Sequence, residues 1–278
     1  MADLTGIRVL ISRPEPSASK MAQQLARQGA LCQILPAILI KSIVISPQLK
    51  QQFLDLDQFH HIIAISQNAV RFGLELIDTY WPQLPASTCW YGLGDATTHA
   101  FKQYDIISET PAINNAVFDT EALLQHNLLQ QLQKQKILIL KGKGGRSLLT
   151  ETLCQRGAKV TEAELYERCL PSYSTEMIKE RIIRFLPHFV IALSGDTVEN
   201  LFLIAESHSN IDTAAVGALQ QSTWILPSER VATKANQYGL RDFFIPRTLA
   251  ITDIIQLMER LKPLITNQEA EHHDLPLF

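Results

Sequence analysis

The stretch Lys141-Gly-Lys-Gly-Gly-Arg-Ser147 follows an apolar run, Lys136-Ile-Leu-Ile-Leu140, and precedes an amphipathic segment ending at Gly157. Glycines let backbone N–H groups approach a ligand. A helix starting after such a loop points its unpaired N–H groups and positive dipole end at an anion. Five more stretches share this character: Arg13-Pro14, Ser66-Gln-Asn68, Gly94-Asp-Ala-Thr97, Ser194-Gly-Asp-Thr197 and Ser228-Glu-Arg230. Singly, each reads as an ordinary capped turn from strand to helix. Together they offer hydroxyls, backbone N–H groups and a few cations, the equipment for binding an anionic ligand.

Other chemistries find less support. Gly-x-x-x-x-Gly-Lys-Ser/Thr is absent, so Lys141 to Ser147 is not a Walker loop. Gly142 and Gly144 match Gly-x-Gly-x-x-Gly, but its sixth place holds Ser147. There is no Gly-x-Ser-x-Gly elbow. Cys32, Cys89, Cys154 and Cys169 form no Cys-x-x-Cys pair and have no histidines at zinc spacing, so they read as reduced structural thiols and no metal is expected. With 25 basic and 28 acidic side chains the net charge is −3, which disfavours a generally basic nucleic-acid binder. The opening Met1-Ala-Asp-Leu-Thr-Gly lacks a signal peptide's character, and no apolar run nears the roughly 20 residues of a membrane span. A soluble cytoplasmic protein is the expectation.

The elements that must hold these loops alternate. Strands are predicted at 8–12, 61–66, 87–91, 106–108, 136–140, 159–170, 189–193, 213–216, 223–226 and 243–245. Helices are predicted from Ser17 or Ser19 to Gln28, and over 49–56, 68–77, 95–104, 119–135, 174–186, 197–206, 229–238 and 251–265. Thr266 to Phe278 is polar and aperiodic and reads as a loose tail. Alternation of this kind predicts parallel sheets covered on both faces, with ligands beyond the carboxyl ends of the strands. The chain also repeats itself. Shifted by 128 positions, Arg8 to Ala30 lies on Lys136 to Ala158, and Ile62-Ile-Ala-Ile-Ser66 on Val190-Ile-Ala-Leu-Ser194. A third block, from Trp90 to Asp105, matches Trp224 to Gly239. Two related α/β domains with a cleft between them are therefore expected.

With these motifs in view, the chain resembles the uroporphyrinogen-III synthase family over about residues 7–261. The resemblance rests on Val9-Leu-Ile-Ser-Arg-Pro14, Ile62-Ile-Ala-Ile-Ser-Gln-Asn-Ala-Val70 and Gly92-Leu-Gly-Asp-Ala-Thr97. It continues with Gly144-Gly-Arg146, Gly157-Ala158, Leu165-Tyr166-Glu-Arg168, Ala192-Leu-Ser194, Val198 and Asn200. It implies two flavodoxin-like parallel-sheet domains joined by a two-segment β ladder. Domain 1 would comprise 1–38 with 172–265, domain 2 would comprise 42–168, and the tail 266–278. The crossing segments would be about Leu35–Val44 and Glu164–Ser172.

The implied reaction closes a linear tetrapyrrole polycarboxylate, hydroxymethylbilane, into uroporphyrinogen III with loss of water and inversion of the last ring, with no cofactor or metal. Pyrrole nitrogens expel the terminal hydroxide, so a mild acid suffices. Tyr166 matches the family's implicated tyrosine. The harder task is folding the bilane so that closure with inversion outruns unassisted closure. Arg13, Lys141, Arg146 and Arg230 are the expected cationic partners of its acetates and propionates. Ser66, Asn68, Gly94, Thr97, Gly142, Gly145, Ser194 and Ser228 are the neutral ones. Val231 stands where the repeat would match Thr97, so that hydroxyl is missing from the second copy. The resemblance also implies a monomer that meets hydroxymethylbilane synthase in passing. The competing expectation is a non-catalytic two-domain module that binds or senses a small anion.

Overall fold

The computed structural model describes residues 2–109, 120–145 and 147–273, with side chains described as far as Ile265. In chain order its strands are β1 (Arg8–Ile11), β2 (Leu31–Ile34), β3 (Leu39–Ser42), β4 (His61–Ala64), β5 (Cys89–Gly92), β6 (Lys136–Gly142), β7 (Lys159–Cys169), β8 (Phe189–Ile191), β9 (Thr223–Ile225) and β10 (Phe243–Phe244). Its helices are α1 (Ser17–Ala26), α2 (Pro47–Leu54), α3 (Gln67–Tyr80), α4 (Asp95–Lys102), α5 (Thr120–Leu124), α6 (Leu148–Gln155), α7 (Thr175–Ile178), α8 (Gly195–Glu206), α9 (Asp212–Gln220), α10 (Glu229–Asn236) and α11 (Ile251–His273).

The chain divides into two compact units, Met1–Ile40 with Cys169–Phe278, and Lys41–Arg168. The first holds a sheet in the order β10-β9-β8-β1-β2, parallel throughout. The second holds the order β3-β7-β6-β4-β5, with β4 to β7 parallel. Each half of the sequence thus gives its opening strand-helix-strand to one sheet and its remainder to the other.

Alternation along the strands explains the layers. In unit 1, Leu10, Val190 and Trp224 point into one core with side chains of α8, α9 and α10. Their neighbours Val9, Ile11, Phe189, Ile191 and Ile225 point into a second core under α1 and α11. In unit 2, Ile137 and Ile139 face a core with Leu149 and Leu153 of α6. Leu140, one step out of phase, meets α3 on the other face. A Cβ at Gly73 would stand 2.7 Å from a Leu140 methyl, so the glycine lets helix and strand approach. Residues 34–37 lead from the end of β2 toward the end of unit 1's first segment, and side-chain donors satisfy carbonyls along them. Arg181 donates to Ile34 O, Tyr173 Oη to Pro36 O at 2.7 Å, and Asn200 Nδ2 to Ala37 O at 2.8 Å.

Several sequence expectations need correction. Thr213–Val216 is part of α9, not a strand: Ala215, Ala218 and Leu219 are buried at helical spacing, and the alanines outweigh the β-branched pair. Residues 106–108 form no strand; only Glu109 bridges to Tyr91. The single helix expected over 119–135 starts outside the described residues at Asp119. It is in fact α5 followed by a 3-10 turn at Asn127–Leu129. Arg156 Nη1 fixes that break by donating to Leu124 O and Leu129 O at 2.6 and 2.7 Å. Neither Ser17 nor Ser19 caps α1; Ser19 bonds Glu15 instead. The expected loose tail is helical as far as His273, where Asn-Gln-Glu-Ala-Glu supplies mostly good helix formers. Residues 274–278 lie outside the described residues. Among the described residues no helix is long and apolar enough to cross a membrane.

Candidate functional site

In open parallel sheets the crevice lies where strand order reverses, at the carboxyl ends. In unit 1 the order reverses between β1 and β8, and in unit 2 between β6 and β4. Arg13 and Ser194 follow the first pair; Gly142 and Ser66 end or follow the second.

Tyr166 stands at the unit 2 crevice, and an irregularity in β7 puts it there. Up to Lys141↔Glu164 the β6–β7 register is regular, and the next pair is Gly142↔Tyr166, skipping Leu165. Alternation places Val160, Glu162 and Glu164 on the α6 face, and unbroken alternation would put Tyr166 there too. The extra residue turns Tyr166 to the α3 face instead, the re-aiming that β-bulges perform. There its ring stacks on Phe72 of α3, with centroids 5.7 Å apart. Its hydroxyl shares a 2.8 Å hydrogen bond with Ser66 Oγ. The residue is only 2% exposed. Gly142 lies against the ring: a Cβ on it would be 2.6 Å from Cε2, 2.7 Å from Cζ and 3.1 Å from the hydroxyl.

Ser66 is also the N-cap of α3, accepting from Ala69 N–H at 3.1 Å. Its repeat partner Ser194 caps α8 in the same way, accepting from Thr197 N–H at 3.2 Å, with nearly the same backbone angles. They differ in one bond. Where Ser66 meets a phenol, Ser194 meets the Thr197 hydroxyl at 2.7 Å. Thr197 occupies the repeat position of Ala69, and Ile38 that of Tyr166. The phenol therefore exists in one unit only.

The expected cations part company. Arg13 is half-buried, and among the described residues no acceptor or carboxylate meets its guanidinium. Burial pulls its pKa below the ordinary arginine value. An unpaired, partly desolvated guanidinium is poised for an anion. Arg230 is exposed in the first turn of α10, and Ser228 is that helix's N-cap with no side-chain capping bond. Lys141 is otherwise engaged. It is 6% exposed, and its Nζ donates to Glu162 Oε2 at 2.9 Å, on the α6 face. Burial pushes the Glu162 carboxyl up, but hydrogen bonds from Thr150 and Lys141 outweigh it and hold the pKa below the usual value. The neighbouring loop is met likewise, with Gly144 N–H donating to Glu164 at 3.0 Å and Lys143 lying 3.9 Å from Glu167. Arg146 lies outside the described residues.

Of the neutral candidates, Thr97 is 3% exposed and faces the interior, as does its repeat counterpart Val231. The hydroxyl missing from the second copy is therefore not an exposed one. Gly94 caps α4 with φ 86°, and Gly145 is exposed with φ 102°; both conformations favour glycine. Asn68 is half-buried in the first turn of α3. Nothing along the chain signalled the bulge, Phe72 as the stacking partner or Arg71, whose guanidinium lies 4.3 Å from the Phe72 ring centroid. Pairing register is a property of two strands and is not written in either one. Among the described residues no group of three His, Cys, Asp or Glu side chains could hold a metal ion.

A model of the family described as uroporphyrinogen-III synthase HemD matches residues 19–256. Uroporphyrinogen-III synthase of Escherichia coli (strain K12) is 28% identical over 246 residues, covering 84% of this chain and 92% of that protein. The Proteus mirabilis enzyme of the same name is 31% identical over 169 residues, covering 60% and 83%. Among solved structures, uroporphyrinogen-III synthetase from Helicobacter pylori 26695 aligns with a TM-score of 0.60 at 15% identity, covering 92% of this chain and 99% of that one. A mutant uroporphyrinogen III synthase from Thermus thermophilus aligns at 0.55 with 20% identity, covering 92% and 98%. At those identities the structural likeness speaks for the mixed α/β fold with parallel sheets.

Proposed function

The chain belongs to the uroporphyrinogen-III synthase family, cyclising enzymes of tetrapyrrole biosynthesis, and we propose that Tyr166 is the group that assists its chemistry. The observation that carries this is the Tyr166 hydroxyl, bonded to the α3 cap Ser66 at the carboxyl edge of the unit 2 sheet. Hydroxymethylbilane loses its terminal hydroxyl as water while its last ring is inverted. When Ser66 donates to the phenol oxygen, the phenolic proton is left for the departing hydroxyl. The remaining work is positioning. Arg13, Ser194, Ser228 and Arg230 of unit 1, with Asn68, Gly94 and Gly145 of unit 2, hold the substrate's acetates and propionates in this scheme. Arg146 keeps the role its sequence suggests. Lys141 and Thr97 are left out, one held by Glu162 and the other facing inward.

The finer fold assignment is two flavodoxin-like domains joined by two segments. It is supported by the unit 1 strand order, which counted within the unit is 2-1-3-4-5. A monomer working in the cytoplasm and taking bilane directly from hydroxymethylbilane synthase suits the chemistry, because released bilane closes unassisted without inversion. The test is a coupled assay. Hydroxymethylbilane is generated freshly, the products are oxidised, and type I and type III isomers are separated. Predominantly type III is expected. Type I alone, at the unassisted rate, would leave a non-catalytic anion-binding module as the better account.

A further inference from the structure

Tyr166 is held by three things that the strand pattern alone would not provide. The bulge at Leu165 turns it to the α3 face, Phe72 stacks on its ring, and Gly142 gives its phenol end room beside β6. The Gly142 contacts set the limit. Positions under 3.0 Å are not taken up by real Cβ atoms, and two of the three ring contacts at Gly142 fall below that. The neighbour that would have to move is the phenol itself, a stiff ring already stacked on Phe72 and bonded at its tip. Gly142 is not in the left-handed region, so turn geometry does not explain the glycine. The ring does.

We propose that Gly142 is a positioning residue for the reaction: its lack of a side chain lets the bulge-turned Tyr166 lie against β6 with its hydroxyl on Ser66. This departs from the sequence expectation, which placed Gly142 among the groups that bind substrate. It rests on the assignment of Tyr166 to the chemistry and adds how the fold fixes that hydroxyl's place. A methyl at 142 moves the ring away from the strand and draws the hydroxyl off Ser66, whose cap to Ala69 stays intact. Substrate carboxylates bound elsewhere do not sense the change.

The test is a double-mutant cycle between Gly142→Ala and Tyr166→Phe in the coupled isomer assay, read as kcat, KM and the type III fraction. Gly142→Ala alone is expected to lower kcat about tenfold, a part of the usual acid-catalysis factor, with little change in KM. In the Tyr166→Phe background the same substitution should lower kcat no further, because the ring it displaces no longer carries a hydroxyl. A wild-type kcat for Gly142→Ala overturns the proposal. So does an equal loss in both backgrounds, which would mark a merely structural glycine. If Tyr166→Phe is itself fully active, the assignment of Tyr166 fails first and takes this proposal with it, a result distinguishable from the other two. Should Gly142→Ala fold but be too unstable for kinetics at the assay temperature, Tm decides. In a Tyr166→Leu background, where the clashing atoms are gone, the methyl should cost clearly less than in the wild type, and an undiminished cost overturns the proposal.

Discussion

Replacing Tyr166 by Phe keeps the ring, its stack on Phe72 and its fit against Gly142, and removes only the oxygen that meets Ser66. A fall in kcat of about 10- to 100-fold with near-wild-type Tm is expected, at or below the lower end of what a positioned acid contributes, because the pyrrole nitrogens themselves help expel the hydroxide. Arg13 and Lys141 make a contrasting pair at the same scale. Both are cations at the carboxyl end of a strand, Arg13 just past β1 and Lys141 near the end of β6, at equivalent places in the repeat, yet among the described residues only Lys141 is held by a carboxylate. Arg13→Gln should raise KM by roughly 10-fold or more, the worth of a lost charge-assisted bond, without unfolding the protein. Lys141→Met should leave KM unchanged and lower stability by about 1–2 kcal/mol, because it strands Glu162, which is itself a third exposed. Denaturant unfolding beside steady-state kinetics separates the two. Residue type showed in the sequence that both could hold an anion. Which one already holds a carboxylate depends on β7 lying beside β6, and that is a tertiary fact.

Among the elements, the amino-terminal end of β4 carries a buried titratable cluster remote from the phenol. His61 Nδ1 meets the Tyr91 hydroxyl at 3.0 Å, and its Nε2 meets Gln135 Oε1. The Gln135 oxygen can only accept, so the neutral ring donates from Nε2 and accepts at Nδ1 from the phenol. Tyr91 in turn packs edge-on against His126, which lies 3.9 Å from Glu109. Burial, with smaller contributions from His60 and His126, lowers the His61 pKa below 6.5, against a raising effect of the Gln135 bond. Above pH 6.5 the imidazole is neutral in both folded and unfolded chains, and its contribution to stability is complete. As pH falls below 6.5 the unfolded chain takes up the proton first, so stability is lost until the lower folded pKa is passed. Denaturant midpoints should therefore fall between pH 7 and 5, and less steeply in His61→Gln. The strands themselves were legible, because runs such as Ile137–Leu140 and Phe189–Ile191 are apolar and short. What escaped was parity. One unpaired residue in β7 exchanges which of its neighbours serve the α6 side and which the α3 side, and no count along the strand announces it.

At the scale of the whole molecule, the 128-residue repeat was readable because it preserved strand ends and caps, down to the matching serines at 66 and 194. The exchange of strands between sheets showed first in Leu31 to Ile45, an apolar stretch broken by Pro36 and too long for one strand, and was spelled out by the family resemblance. It makes the fragments unequal. Residues 38–169 contain all five strands of the second sheet, whereas residues 1–128 contain no complete sheet. The first fragment should unfold cooperatively in urea, and the second should show no sigmoidal transition, a comparison that circular dichroism can make. The same topology has a consequence in time. β1 is an inner strand, and its neighbour β8 lies roughly 180 residues downstream, which at ribosomal rates means a wait of roughly 10–35 s. Through that interval Val9, Leu10 and Ile11 present an apolar, half-paired edge, and every strand of the second sheet is made before it closes. The nascent chain is most exposed to misassembly at its own beginning, and it is protected there only once most of its length has been synthesised.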